Sequence, residues 1–102
     1  MTDEGAPRVA EISVKRTGPG EFAVEVVDGL NTTTHRVTMP PTLIGPGSLL
    51  NLKFVSATAV VEESFRFLLE RQPASAIPPE FDLPEITIEF PDYYDELRRR
   101  LT

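Results

Sequence analysis

The chain has 102 residues, 40% hydrophobic and 25% charged, a composition of one globular domain and not of a disordered segment. It holds no cysteine and one histidine, which excludes disulfides, thiolate chemistry and a histidine metal cluster within the chain. Ten basic against sixteen acidic residues give a net charge of −6, the opposite of the basic footprint that duplex nucleic acid requires.

Residues 1–7 are polar and read as a loose N-terminal arm; residues 8–102 read as a single domain. From Arg8 to Arg16, Ala10, Ile12 and Val14 alternate with Glu11, Ser13 and Lys15, the period of a half-buried strand. Thr17-Gly18-Pro19-Gly20 turns the chain. A second strand over Glu21–Asp28 then places Phe22, Val24 and Val26 on one face and Ala23, Glu25 and Val27 on the other. Asp28-Gly29 signals the next turn, lengthened by Leu30 and Asn31. Thr32–Met39 reads as a third strand with His35, Val37 and Met39 on one face. Residues 8–39 therefore form a β-meander. Residues 40–56 form a loop rich in proline and glycine, with a short fourth strand as a candidate over Leu50–Val55.

The second half reads as helical. Ser56 or Thr58 caps a main helix over residues 57–72, whose stripe Ala57, Val60, Val61, Ser64, Phe65 and Leu68 faces the sheet. Phe67 and Leu69 widen that stripe and call for a second helical layer. Residues 73–102 supply it. Asp82 and Glu85 have the spacing of a capping box, with Pro84 tolerated in the first turn. Against that helical turn, Ile86-Thr87-Ile88 is β-branched and favours a strand. Asp92 caps a last helix over Tyr93–Leu101, its apolar side carrying Tyr94, Leu97 and Leu101. The fold class expected is α+β: a small antiparallel sheet of three strands, or four with Leu50–Val55, followed by two or three helices packed on one face.

Phe65, Phe67-Leu68-Leu69-Glu70-Arg71, Pro73, Ile77, Phe81-Asp82-Leu83, Ile86, Phe90-Pro91 and a tyrosine at 93 or 94 form one pattern. Over about residues 21–39 and 60–100 the chain resembles small, mostly uncharacterised bacterial proteins in which a β-hairpin precedes the same helical tail. The resemblance implies a fold unit, and no activity or cofactor.

Catalytic patterns are sparse. His35 lacks a partner carboxylate and nucleophile placed by sequence. Glu80, Asp82, Glu85, Glu89, Asp92, Asp95 and Glu96 follow one another with no Lys or Arg between them, but they have neither calcium-loop spacing nor the pattern of a glycosidase pair, and read as a solvated acidic surface. Gly18-Pro19-Gly20 and Gly45-Pro46-Gly47-Ser48 lack the lysine and the run of free N–H groups of a phosphate loop. The chain therefore reads as non-enzymatic and without a cofactor.

The features of interface character are the adjacent Tyr93 and Tyr94, one for the core and one exposed, and an outer sheet strip of Val9, Ala23 and Val27. A meander also leaves an edge open. Arg8–Arg16 is guarded by Glu11, Lys15 and Arg16; Thr32–Met39 is guarded by Arg36 alone. The expectation is a cytoplasmic interaction module with a protein partner or self-association, a homodimer through the sheet, and no nucleic-acid or membrane partner. The alternative is a small-molecule or regulatory domain with an apolar pocket lined by Phe22, Phe54, Phe65 and Phe90.

Overall fold

The structure is a computed structural model that describes residues 10–40 and 56–101. The arm at residues 1–7, Val9, Phe54 and the candidate strand Leu50–Val55 lie outside the described residues.

β1 (Glu11–Gly18), β2 (Glu21–Asp28) and β3 (Asn31–Thr38) pair in chain order as an antiparallel meander. Two turns set the registers. Pro19-Gly20 joins β1 to β2, with Gly20 at a φ of 67°, the positive value that a turn with proline before glycine needs. A Cβ on Gly20 would stand 2.8 Å from the Met39 carbonyl oxygen, so the site demands glycine sterically as well. The register shifts between Arg16 and Gly18, which leaves Thr17 as a bulge. The second turn is tighter than the sequence suggests. Asn31 pairs with Asp28, so the loop is Gly29-Leu30 alone, opened by Gly29 at a φ of 68°.

The sheet is mixed and not purely antiparallel. A fourth strand, β4 (Glu80–Asp82), joins β3 in parallel, where the sequence reads a linker running into a helix cap. Three residues present one inward side chain, Phe81, so no period marks this strand. Its pairing begins where the Arg36 amide donates to the Pro79 carbonyl at 2.7 Å, and Val37 then faces Phe81 in register.

α1 (Ala57–Leu69) starts at Ser56, whose hydroxyl accepts from the Ala59 amide at 3.1 Å. It stops short of the expected residue 72. The Arg71 and Gln72 amides both turn back to the Leu68 carbonyl ahead of Pro73. After a short 3-10 turn over Leu83–Glu85, α2 (Ile86–Glu89) follows, so the β-branched run is helical. The Thr87 hydroxyl donates to the Pro84 carbonyl at 2.7 Å, which lets a threonine sit in the turn. α3 (Tyr93–Leu101) closes the described chain.

The result is an α+β fold with one continuous core. Phe22, Val24, Val26 and Val37 from the sheet meet Val60, Val61, Phe65 and Leu68 from α1, and all are buried. Phe67 lies off the sheet-facing stripe and is nonetheless wholly buried. Tyr93 and Phe90 cover it, with ring centroids 5.4 and 5.8 Å away. This is the second layer that the wide apolar girth of α1 requires.

Candidate interaction surface

The register fixes which way each β1 residue points. Glu11, Ser13 and Lys15 lie opposite Val27, Glu25 and Ala23 on the outer face, while Ile12 and Val14 lie opposite Val26 and Val24 on the core side. In a two-residue hairpin the pair flanking the loop is hydrogen-bonded and the bonds then alternate, so Val26 and Val24 spend their amides on β3. Glu25, Ala23 and Val27 are left to bond β1, through Ser13, Lys15 and Glu11. The backbone groups of Ile12, Val14 and Arg16 therefore point away from β2. Among the described residues no strand meets them. The other edge differs. β4 takes up β3 over Arg36–Thr38, so the less guarded of the two edges is the one that is covered.

On the outer face Ala23 and Val27 are half-buried, although among the described residues no helix packs on that side. Their cross-strand neighbours are polar: Lys15 and Arg36 flank Ala23, and Glu11 and Thr32 flank Val27. Among the described residues, Ala23 and Val27 make no continuous apolar strip. Among the described residues the large apolar side chains that stand in solvent are Leu30 at the tip of the β2–β3 turn and Ile88 on α2.

Tyr93 belongs wholly to the core, which leaves it no surface for a partner. Its hydroxyl lies 2.5 Å from the Ser64 hydroxyl, which in turn donates to the Val60 carbonyl at 2.7 Å; Tyr93 is thus the donor to Ser64. Burial pushes its phenol far above the ordinary tyrosine range. The helix therefore buries Tyr93 and Leu97, four residues apart, and leaves Tyr94 half-buried at the margin, where the sequence pattern puts Tyr94 on the apolar side.

The acidic run is dispersed by the fold. Asp92 pairs with Arg71 at 3.1 Å, Asp95 with Arg98, and Glu96 with Arg99 at 2.6 Å and Arg100 at 3.3 Å. Glu80 faces Arg36, and Glu85 accepts from the Asp82 amide. Arg100 also bonds Glu70 at 2.5 Å, which ties α3 to the end of α1 and holds the Glu70 carboxyl below its usual range.

His35 is buried and fully engaged. Its Nδ1 donates to the Pro78 carbonyl at 2.8 Å, so that nitrogen carries the hydrogen, and its Nε2 meets the Thr33 hydroxyl at 2.9 Å. The ring also stacks at a tilt on Phe65, 5.3 Å between centroids. Both nitrogens are thus engaged, and among the described residues no carboxylate bonds the ring. Among the described residues no cluster of three or more His, Asp or Glu is arranged to hold a metal ion.

Of the four phenylalanines expected around one pocket, the three among the described residues do not share one. Phe65 lies in the core against Phe81, Phe90 covers Phe67, and Phe54 is outside the described residues. Phe22 instead borders an open cleft of about 630 Å³ at the turn end of the sheet, with Arg16, Gly20, Thr38, Met39 and Ala57. Thr38 borders the cleft too, and its hydroxyl is buried with no hydrogen-bond partner among the described residues. Among the described residues no helix is long and apolar enough to cross a membrane.

Comparison of the chain with protein-family models, with curated proteins and with solved structures gave no match in any of the three.

Proposed function

We propose that this chain is a non-enzymatic docking module that binds another protein chain by extending its sheet at β1. One observation carries the reading. β1 runs for eight residues with no strand on its outward side among the described residues, while its inward side is held by β2 along its length. An extended segment laid along Ile12, Val14 and Arg16 would satisfy their outward N–H and C=O groups. Backbone bonds then give affinity, and alternate side chains give specificity. The experiment is amide hydrogen exchange combined with Val14→Pro. The Ile12, Val14 and Arg16 amides should exchange fast in the isolated protein and slow down on docking. Proline at 14 removes one outward donor and leaves the β2 ladder intact, so docking should fail while the far-UV spectrum and cooperative unfolding persist. Slow exchange of these amides in the isolated monomer would end the reading.

A second reading rests on the cleft beside Phe22. Thr38 borders this largely apolar hollow and its hydroxyl has no hydrogen-bond partner among the described residues, so a turn of that side chain toward the cleft would give a ligand one polar anchor, the usual make-up of a small-molecule site. A metabolite that raises the melting temperature of the wild type, but not of Thr38→Val, would favour it over docking.

A further inference from the structure

We infer that the occupant of the β1 edge is a second copy of this chain, paired antiparallel about a two-fold axis through Ser13. The inference rests on the docking reading and adds the partner and the register. Three observations converge on it.

The first is parity. In one continuous sheet the outer-face residues of one strand must oppose outer-face residues of the other, because a slip of one residue reverses the faces. Glu11, Ser13 and Lys15 share the outer face, and Ile12 and Val14 the inner. Two copies can then pair only in registers that match like parity.

The second is charge. Among those registers, the one centred on Ser13 sets Glu11 against the partner copy's lysine at position 15, twice by symmetry, and Ile12 against its valine at position 14. A shift of two residues sets Glu11 against a serine or a threonine instead. In the favoured register the charged residues fall in pairs that are not hydrogen-bonded, where side chains approach most closely. The hydrogen bonds run through Ile12 and Val14, whose backbone groups are the ones that point outward. Among the described residues Glu11 and Lys15 make no ion pair, so both charges are available to a partner strand.

The third is where the net charge resides. The chain carries −6, but β1 holds Lys15 and Arg16 against the single Glu11. The acidic run lies on β4 and the helices. The strand is thus the part of an acidic protein that a second copy can approach. A cyclic two-fold pair is also the commonest closed arrangement. One strand pair buries less than the roughly 1,200 Å² typical of stable complexes, so the dimer is weak and dissociates on dilution.

The test is a charge swap read by light-scattering mass at low salt. Wild type should be dimeric at high micromolar concentration and monomeric on dilution. Lys15→Glu and Glu11→Lys each place like charges together at two symmetric points and should weaken self-association by about tenfold or more. An equimolar mixture of the two single variants should dimerise, because each supplies what the other lacks, and the double variant should dimerise like wild type. Both sites are exposed, and circular dichroism checks that each variant is folded. A wild type that stays monomeric at high micromolar concentration, or single variants that associate as well as wild type, would overturn the self-pairing. Hydrogen exchange on the monomer then separates the two ideas. Fast exchange at Ile12 and Val14 leaves the edge open for a different partner, and slow exchange removes the docking reading as well.

Discussion

His35 and Pro78 are joined across 43 residues by one hydrogen bond of 2.8 Å, from the imidazole Nδ1 to the proline carbonyl. The next residues on each side continue the link, since the Arg36 amide bonds Pro79 and Val37 then faces Phe81. The histidine is therefore the first tie of the parallel β3–β4 pairing. His35→Ala removes the donor to the Pro78 carbonyl and a buried ring that packs on Phe65. The loss should be about 2–4 kcal/mol. Hydrogen exchange should show the β4 amides losing protection before the β1–β2 hairpin does. Uniform loss across the sheet would mean that His35 acts on the core as a whole and not on β4.

Phe65 is where sheet and helix are clamped. It is wholly buried, with His35 on one side and Phe81 on the other, centroids 5.3 and 5.9 Å away. Phe65→Ala should cost about 3–5 kcal/mol in denaturant unfolding, the range for a buried ring that leaves a cavity. Phe65→Leu should cost clearly less, because it keeps much of the volume. A cost below about 1 kcal/mol for the alanine variant would contradict the packing described.

What could be read from the sequence depended on how far apart the partners lie. β1, β2 and β3 repeat an inward residue at every second position, and their partners are adjacent in the chain, so Ile12, Val24 and Val37 on one face of a meander were legible. α1 was legible for the same reason at a period of 3.6, and Phe67 off its stripe correctly demanded a second layer. β4 was not legible. Three residues cannot show a period, and their partner Arg36 is 44 residues back. That omission also hid which edge is open, since β4 covers the end of β3 that its lack of guards made the more suspect. The choice between Tyr93 and Tyr94 was settled by Ser64, a polar residue on α1 whose hydroxyl sits 2.5 Å from that of Tyr93. Sequence spacing does not show that a buried phenol has found a partner.

Gly20 tests the turn. Its positive φ costs an L-residue roughly 1–2 kcal/mol, and a Cβ there would lie 2.8 Å from a backbone oxygen that cannot swing aside. The same pair of residues is joined by a bond from the Met39 amide to the Gly20 carbonyl, 2.8 Å long, so relief by backbone shift would break it. Gly20→Ala should therefore destabilise by more than about 2 kcal/mol, beyond the conformational term alone. Calorimetry should place its melting temperature well below that of wild type. A drop no larger than the conformational term predicts would show that Met39 can move away freely.

Tyr93 gives the fold an alkaline limit. Burial raises its phenol well above the ordinary value of 10.0; Tyr94 is raised too, by its own partial burial. In the unfolded chain both phenols ionise near the ordinary value, while the folded chain resists. Protons are then held more tightly by the folded state, so this contribution to stability is intact below about pH 10 and is lost as the pH rises from there toward the elevated folded values. Tyr93→Phe removes the group that resists most. At neutral pH it should cost only about 1 kcal/mol, because Ser64 keeps its bond to the Val60 carbonyl at 2.7 Å and no buried donor is stranded. Above about pH 10 the variant should lose stability less steeply than wild type, with Tyr94 alone supplying the remaining slope. Unfolding free energies measured from about pH 8 to about pH 12 for both proteins would show the two curves converging. Curves that stay parallel through that interval would mean that Tyr93 ionises in the folded protein as freely as in the unfolded one, against its complete burial between α1 and α3.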